Sequence, residues 1–158
     1  MTETKATAGV GTELILERVF DAPRERVFAA WTDAKQVRQW WGPHGFDNPR
    51  CEWDARPGGK IYVDMRGFGT THPMPGRFEE VVPPERLVFI TEAFVDEAGK
   101  PQLQNRNTVT FTEQGGKTHV KLHVRVLVAT PQVAQALAGM EQGWSESLEK
   151  LGALLGKG

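Results

Sequence analysis

Four histidines and a single cysteine are the residues with the chemistry for metal binding or nucleophilic catalysis, and their spacing supports neither. His119 and His123 sit four residues apart in an alternating run from His119 to Val128, about 13 Å at strand rise and too far to share one ion. Val120, Leu122, Val124 and Val126 occupy the opposite face of that run, so both histidines are expected to meet solvent. His44 and His72 fall in stretches rich in glycine and proline, read as loops that could flank a cavity mouth. Cys51 has no partner for an internal disulfide, which fits a reducing compartment, and ahead of a strand it reads as a small, half-buried residue. Gly58-Gly59-Lys60 lacks the glycine spacing of a phosphate-binding loop and follows no strand into a helix. Gly67-Phe68-Gly69 fails the dinucleotide fingerprint for the same reason of context. No cofactor, metal or catalytic constellation is expected.

What the chain does supply is large apolar side chains. Trp40, Trp41, Phe46, Phe78, Phe89, Phe94 and Trp144, with Met65, Met74, Met140 and Leu148, are the candidate ligand-binding residues. A large apolar ligand is held mostly by burial, and methionine gives an adaptable wall. The same residues would equally fill a core, and side-chain type does not separate the two uses. Gly139 and Gly143 lie one turn apart in a helical stretch and each costs about 1 kcal/mol relative to alanine. They serve either close packing, or room for a ligand or a bend at a cavity mouth.

That stretch is the element on which the rest is organised. Val133, Leu137, Met140, Trp144, Leu148, Leu151 and Leu155 recur at steps of three and four, the stripe of one buried helix face. Thr130-Pro131 marks the start, and a single helix of roughly 37 Å is expected as far as Leu155. Earlier, Glu13 to Phe20 reads as a strand, Pro23 opens a short helix to Trp31, and Thr32-Asp33 supplies the cap of a second over AKQVRQWW. From Cys51 onward the pattern is strands and turns: CEWDAR, KIYVDMR, Gly76 to Val82, Arg86 to Glu92, Thr108 to Thr112 and His119 to Val128. HGFDNP, GFGTTHPMP and DEAGKPQLQNRN read as loops. Strand, two short helices, hairpin-linked strands and a long helix make an α+β chain, with the helix stripe covering one face of an antiparallel sheet.

RVFDAPRERVFAAWTD, QWWGPHGF, DARPGGKIYVDM, EEVVPPERLVF and GMEQGWSESLEKL, in this order between Glu13 and Leu155, resemble the family related to the activator of heat shock protein 90 ATPase, within the SRPBCC or START-like superfamily. The resemblance implies a helix-grip fold: a curved antiparallel sheet of about seven strands wrapped around the C-terminal helix, two short helices after the first strand, and an apolar cavity between sheet and helix. It leaves function open, since members of the superfamily carry lipids, close aromatic rings or assist chaperones. The domain is expected to span 13–158, after a disordered leader over 1–12.

With 39% hydrophobic and 25% charged residues the chain has a soluble composition, and a net charge of −1 gives no footprint for nucleic acid or an anionic membrane. The N-terminus lacks the apolar core of a signal peptide and no run reaches transmembrane length, so a cytoplasmic location is expected. The favoured partner is a small apolar or aromatic molecule. A cyclase or hydrolase needs at least two titratable or hydroxyl groups facing the cavity, and no compelling pair stands out. A co-chaperone role follows from the family name, although the eukaryotic activators carry a further domain where a short leader is expected here. A homodimer through an exposed sheet edge is open. So is the register of the first strand: Leu14, Leu16 and Phe20 inward would bring Arg18 with them in need of an acidic partner, whereas Ile15 and Val19 inward would turn it out. Glu80, Glu92 and Arg106 are further possible orienting groups, or surface charges.

Overall fold

The computed structural model describes residues 10–156. Strand β1 (Glu13–Phe20) is followed by helices α1 (Arg24–Thr32) and α2 (Ala34–Trp40) and then by strands β2 (Asp47–Trp53), β3 (Lys60–Gly67), β4 (Thr70–Val82), β5 (Arg86–Val95), β6 (Pro101–Gln114) and β7 (Lys117–Ala129). A 3₁₀ turn (Pro131–Val133) leads into α3 (Ala134–Ala138) and α4 (Met140–Gly156). The seven strands form one curved antiparallel sheet in the order β1-β7-β6-β5-β4-β3-β2. The C-terminal helix packs on its concave face, giving the expected helix-grip architecture.

Local chemistry accounts for the boundaries. Pro23 stands just ahead of α1, one residue earlier than expected, and its carbonyl accepts from the amides of Arg26 and Val27. The Asp33 carboxylate caps α2 by accepting from the Lys35 amide at 3.0 Å. The predicted leader lies mostly outside the described residues. Where the description begins, Gly11 and Thr12 already exchange backbone hydrogen bonds with Val126.

Three stretches expected to be loops are strand. Most of GFGTTHPMP belongs to β4, and only Phe68 and Gly69 turn, both with positive φ, as a tight two-residue hairpin requires. Pro73 and Pro75 are tolerated because β4 pairs with β5 only from Gly76 onward, which leaves their missing N–H groups on an open edge. In DEAGKPQLQNRN, only Asp96–Lys100 is loop, held by Asp96 Oδ1 accepting from the amides of Ala98 and Lys100. From Pro101 the chain is β6, and its polar Asn105 and Asn107 point inward with Leu103 and Val109. β2 begins four residues ahead of the expected Cys51, across a bulge between Asp47 and Arg50.

The first strand turns Leu16 and Phe20 inward and leaves Ile15 and Val19 more than half exposed. Arg18 therefore shares the inner parity, but among the described residues it meets no carboxylate: its guanidinium donates to the Glu17 carbonyl and to Ser145 Oγ. The outward positions hold the charges, with Glu80 bonded to Arg86 and Arg106 to Glu79.

The principal core joins the concave sheet face to α1, α2 and the Leu148, Leu151 and Leu155 stripe of α4. A smaller cluster, Leu103, Val126 and Val133, gathers under α3. The expected single C-terminal helix is interrupted at Gly139 (φ −93°, ψ 1°). α4 alone extends about 25 Å at 1.5 Å per residue, shorter than the sequence stripe implies. The interruption falls where the two clusters meet, and Met140 packs against both.

Candidate functional site

Between these clusters lies a cavity of about 180 Å³, walled by α4, the α2–β2 turn and the inner faces of β3 to β6. The helix contributes Met140, Gly143, Trp144 and Ser147, one face over two turns. Beyond the backbone of its own helical turns, an added Cβ at Gly143 would have no atom within 4 Å, and at Gly139 it would meet only carbonyls of the preceding turn at 3.8 and 3.9 Å. Gly143, which lines the cavity, therefore leaves room rather than serving close packing, whereas the exposed Gly139 lies outside the lining and marks the break between α3 and α4.

Trp41, immediately after α2, forms the opposite wall. Asn48, buried at the start of β2, donates through Nδ2 to the carbonyls of Trp41 (2.8 Å) and Arg38 (3.0 Å), while Arg38 Nε returns a bond to the Asn48 carbonyl at 2.9 Å. This clasp fixes the end of the helix and with it the indole. The Trp41 ring meets Trp144 edge-on at 5.1 Å, and Trp144 stacks on Trp31 at 6.1 Å. Gly42 and Pro43 continue the wall. Their turn is latched to α4: the His44 amide donates to Glu146 Oε1 at 2.9 Å, the His44 ring meets Glu149 at 3.0 Å, and Lys150 Nζ donates to the Pro43 carbonyl at 3.4 Å. The Gln142 side chain and the His44 amide, both donating to Glu146, hold its carboxyl below the usual range. Burial pushes the Lys150 ammonium down.

Met65, Met74, Ala93 and Leu103 make the sheet side apolar. Thr91 and Asn105 face each other across β5 and β6 in the same wall. Asn107 Nδ2 donates to both the Phe89 carbonyl (3.2 Å) and Thr91 Oγ1 (3.1 Å). Asn105 Nδ2 reaches only the Met140 sulfur at 3.8 Å, and its Oδ1 is buried without a partner. Glu92 also borders the cavity, but alternation along β5 puts its side chain beside Gln104, from whose Nε2 it accepts at 2.7 Å. It therefore offers the cavity main chain rather than a carboxylate.

Of the residues expected at a ligand site, Trp41, Met65, Met74, Met140 and Trp144 are gathered around this space. Trp40, Phe78, Phe89 and Leu148 are instead core: all four are buried, and Trp40 Nε1 donates to the Ala30 carbonyl at 2.9 Å. Phe46 and Phe94 lie outside as well, in a surface string in which Phe46 packs against Phe68 (5.5 Å) and His72 bridges Phe46 and Phe94 at 6.4 and 6.2 Å. Sequence reasoning missed Gly42, Pro43, Thr91, Ala93, Leu103, Asn105 and Ser147. The signal for both Thr91 and Asn105 is a polar residue at inward strand parity: Thr91 lies within the expected strand Arg86 to Glu92, whereas Asn105 falls ahead of the expected start of β6 at Thr108.

The remaining reactive groups lie elsewhere. His119 and His123 bond to Glu17 (2.7 Å) and Glu13 (2.6 Å) across the outer face of β1 and β7. Desolvation pushes the half-buried Cys51 thiol up to about 11. Among the described residues no group of three or more His, Cys, Asp or Glu is placed to hold a metal ion, and no helix is long and apolar enough to cross a membrane.

The architecture can now be set beside known proteins. Residues 21–156 match the family described as Activator of Hsp90 ATPase homolog 1-like protein. The chain belongs to that family. Among solved structures it is similar to a Chromobacterium violaceum protein at 30% identity (TM-score 0.76), covering 90% of this chain and 96% of that one. A solution structure from Arthrobacter aurescens is 27% identical with a TM-score of 0.79, covering 94% and 88% respectively. A Silicibacter pomeroyi protein named for the same family is 26% identical with a TM-score of 0.77, covering 92% and 98%. No curated protein matches the chain in sequence. Family membership accounts for the shared fold; the chemistry of the cavity has to be read from this chain's own residues.

Proposed function

We propose that this protein binds a small, ring-sized apolar molecule in the cavity between the sheet and α4. The observation that carries the reading is the cavity itself: two indoles and three methionines surround open space where Gly143 withholds a side chain. A volume of about 180 Å³ compares with the roughly 150 Å³ apolar cavity that takes up benzene. It suits one ring, single or fused, and is too small for a long-chain lipid. Burying about 200 Å² of aromatic surface at ~25 cal/mol per Å² gives about 5 kcal/mol, a dissociation constant on the order of 0.2 mM before any polar contact.

The cyclase or hydrolase alternative finds two hydroxyls in the lining, Thr91 and Ser147, but among the described residues no general acid or base beside them: Ser147 donates to the Gly143 carbonyl, and Glu92 turns its carboxylate to Gln104 on the outer face. A chaperone partner would rest on the family description alone, whereas the cavity rests on residues of this chain. Toluene titrated into ¹⁵N-labelled protein tests the proposal. Saturable shifts concentrated on the Trp41 and Trp144 indoles and the Asn105 side-chain amide are expected. Shifts scattered over the surface, or none at the solubility limit of toluene, would refute it.

A further inference from the structure

The polar groups in the cavity wall specify the ligand further, given that the cavity is a binding site. The atom of Asn107 that contacts Thr91 also contacts the Phe89 carbonyl. A carbonyl only accepts, so that atom is the Asn107 amide nitrogen, and Thr91 Oγ1 is itself an acceptor in this bond. The Thr91 hydroxyl proton is thereby left to donate. Across the strand pair, Asn105 is 9% exposed, and its Oδ1 is buried without a donor. A buried amide oxygen left without a donor carries a desolvation cost that a bound donor would remove. One wall thus holds a free donor and a free acceptor on directly paired residues.

Side chains on directly opposed strand positions stand about 5 Å apart at Cβ, and two hydrogen bonds that meet at one hydroxyl oxygen at a near-tetrahedral angle span about 4.5 Å when each is near 2.8 Å. A single hydroxyl oxygen between them satisfies both, donating its proton to Asn105 Oδ1 and accepting from Thr91 Oγ1. A carboxylate has no proton for Asn105. An ammonium has no lone pair for Thr91. Either would also enter a wall into which no ionisable side chain turns, leaving its charge unpaired.

We infer that the ligand is a neutral, ring-sized molecule carrying a hydroxyl group, a phenol or cyclic alcohol, whose O–H is read by Asn105 and Thr91. The two are specificity-determining residues, and the indoles and methionines hold the ring.

The test compares 4-ethylphenol, ethylbenzene and 4-ethylbenzoate by isothermal titration calorimetry. In the wild-type protein 4-ethylphenol is expected to bind at least tenfold more tightly than ethylbenzene, with the benzoate weakest. The sign is diagnostic, because a hydroxyl entering an unpaired apolar cavity binds more weakly than the bare hydrocarbon. In Asn105→Leu, and independently in the near-isosteric Thr91→Val, the ratio of the two affinities is expected to fall to about one or below. Ethylbenzene binding in the same titrations reports whether each variant has kept its cavity. A ratio near one in the wild-type protein, a preference that survives in both variants, or tightest binding by the benzoate would overturn the hydroxyl inference while leaving the cavity reading intact. Binding of none of the three would overturn both.

Discussion

Replacing Gly143 separates a cavity from a solid core. Glycine inside a helix costs about 1 kcal/mol relative to alanine, and here no neighbour compensates, since an added Cβ would have nothing within 4 Å. Gly143→Ala should therefore raise stability by up to about 1 kcal/mol, a rise of about 2–4 °C in melting temperature for a chain of this length. Gly143→Leu retains most of the helix-propensity gain and sends its branched end into the space that toluene would occupy. Differential scanning calorimetry with and without toluene reads both effects: both variants should melt higher than the wild type, and in Gly143→Leu added toluene should give no further rise. Gly76→Ala is the contrasting control, because a Cβ there would stand 2.0 Å from the Ile90 carbonyl oxygen, and it should be strongly destabilising. A lower melting temperature in Gly143→Ala would mean that the helix face is packed solid. An undiminished toluene response in Gly143→Leu would place the ligand elsewhere.

The Asn48 clasp should matter for both stability and binding: Asn48→Ala leaves the Arg38 and Trp41 carbonyls without their buried donor, costs about 2–3 kcal/mol in urea unfolding, and weakens toluene binding through the freed Trp41. The Cys51 thiol, raised from 9.0 to about 11, should resist a thiol reagent at pH 8 until the chain unfolds. Because the folded state keeps that proton longer than the unfolded one, its stabilisation is complete below pH 9 and lost as pH rises towards 11; urea midpoints should fall over this window in the wild-type protein and less so in Cys51→Ala. Glu146, lowered by the Gln142 and His44 donors, has the opposite sign: its latch on the Pro43–His44 turn is present above its ordinary value of 4.5 and lost as pH falls through the depressed value. Glu146→Gln at neutral pH should speed amide exchange at His44, with little change in global melting temperature.

Much of the fold was legible because its signals are local. The alternation in β7, the Asp33 cap and the position of Pro23 each act within a few residues, and the order of motifs carried the family resemblance. What failed depended on distant chain. Pro73 and Pro75 argue against strand unless it is known that β5 has not yet joined that edge, and Asn105 and Asn107 argue for loop unless the space they face is known. The break at Gly139 was legible only as one reading of its glycine, a bend, because Val133, Leu137 and Met140 keep the helical spacing across it. Nor can hydrophobicity divide core from cavity wall: Trp40 and Trp41 are adjacent and identical in type, yet one is sealed in the core with its N–H bonded to Ala30, while the other faces open space.

Two departures from good packing meet at this one place from opposite sides. On the helix, Gly143 gives up propensity and side-chain volume without bringing any backbone closer, so packing does not explain it. On the sheet, Asn105 stands where Leu103 and Val109 set an apolar pattern, and its amide oxygen is left unpaired although a leucine there would raise no such cost. Each alone is a local destabilisation, and sequences that fold well tend to concentrate such conflicts at functional positions. Their convergence is the stronger observation, because the helix and the sheet reach this space from residues some 35 positions apart. Gly143 leaves space for the proposed ring, the Asn105 amide and the Thr91 hydroxyl would orient it, and the Asn48 clasp and the Glu146 latch hold the remaining wall in place. Filling the space would improve stability on both walls at once, so stability does not account for its being open.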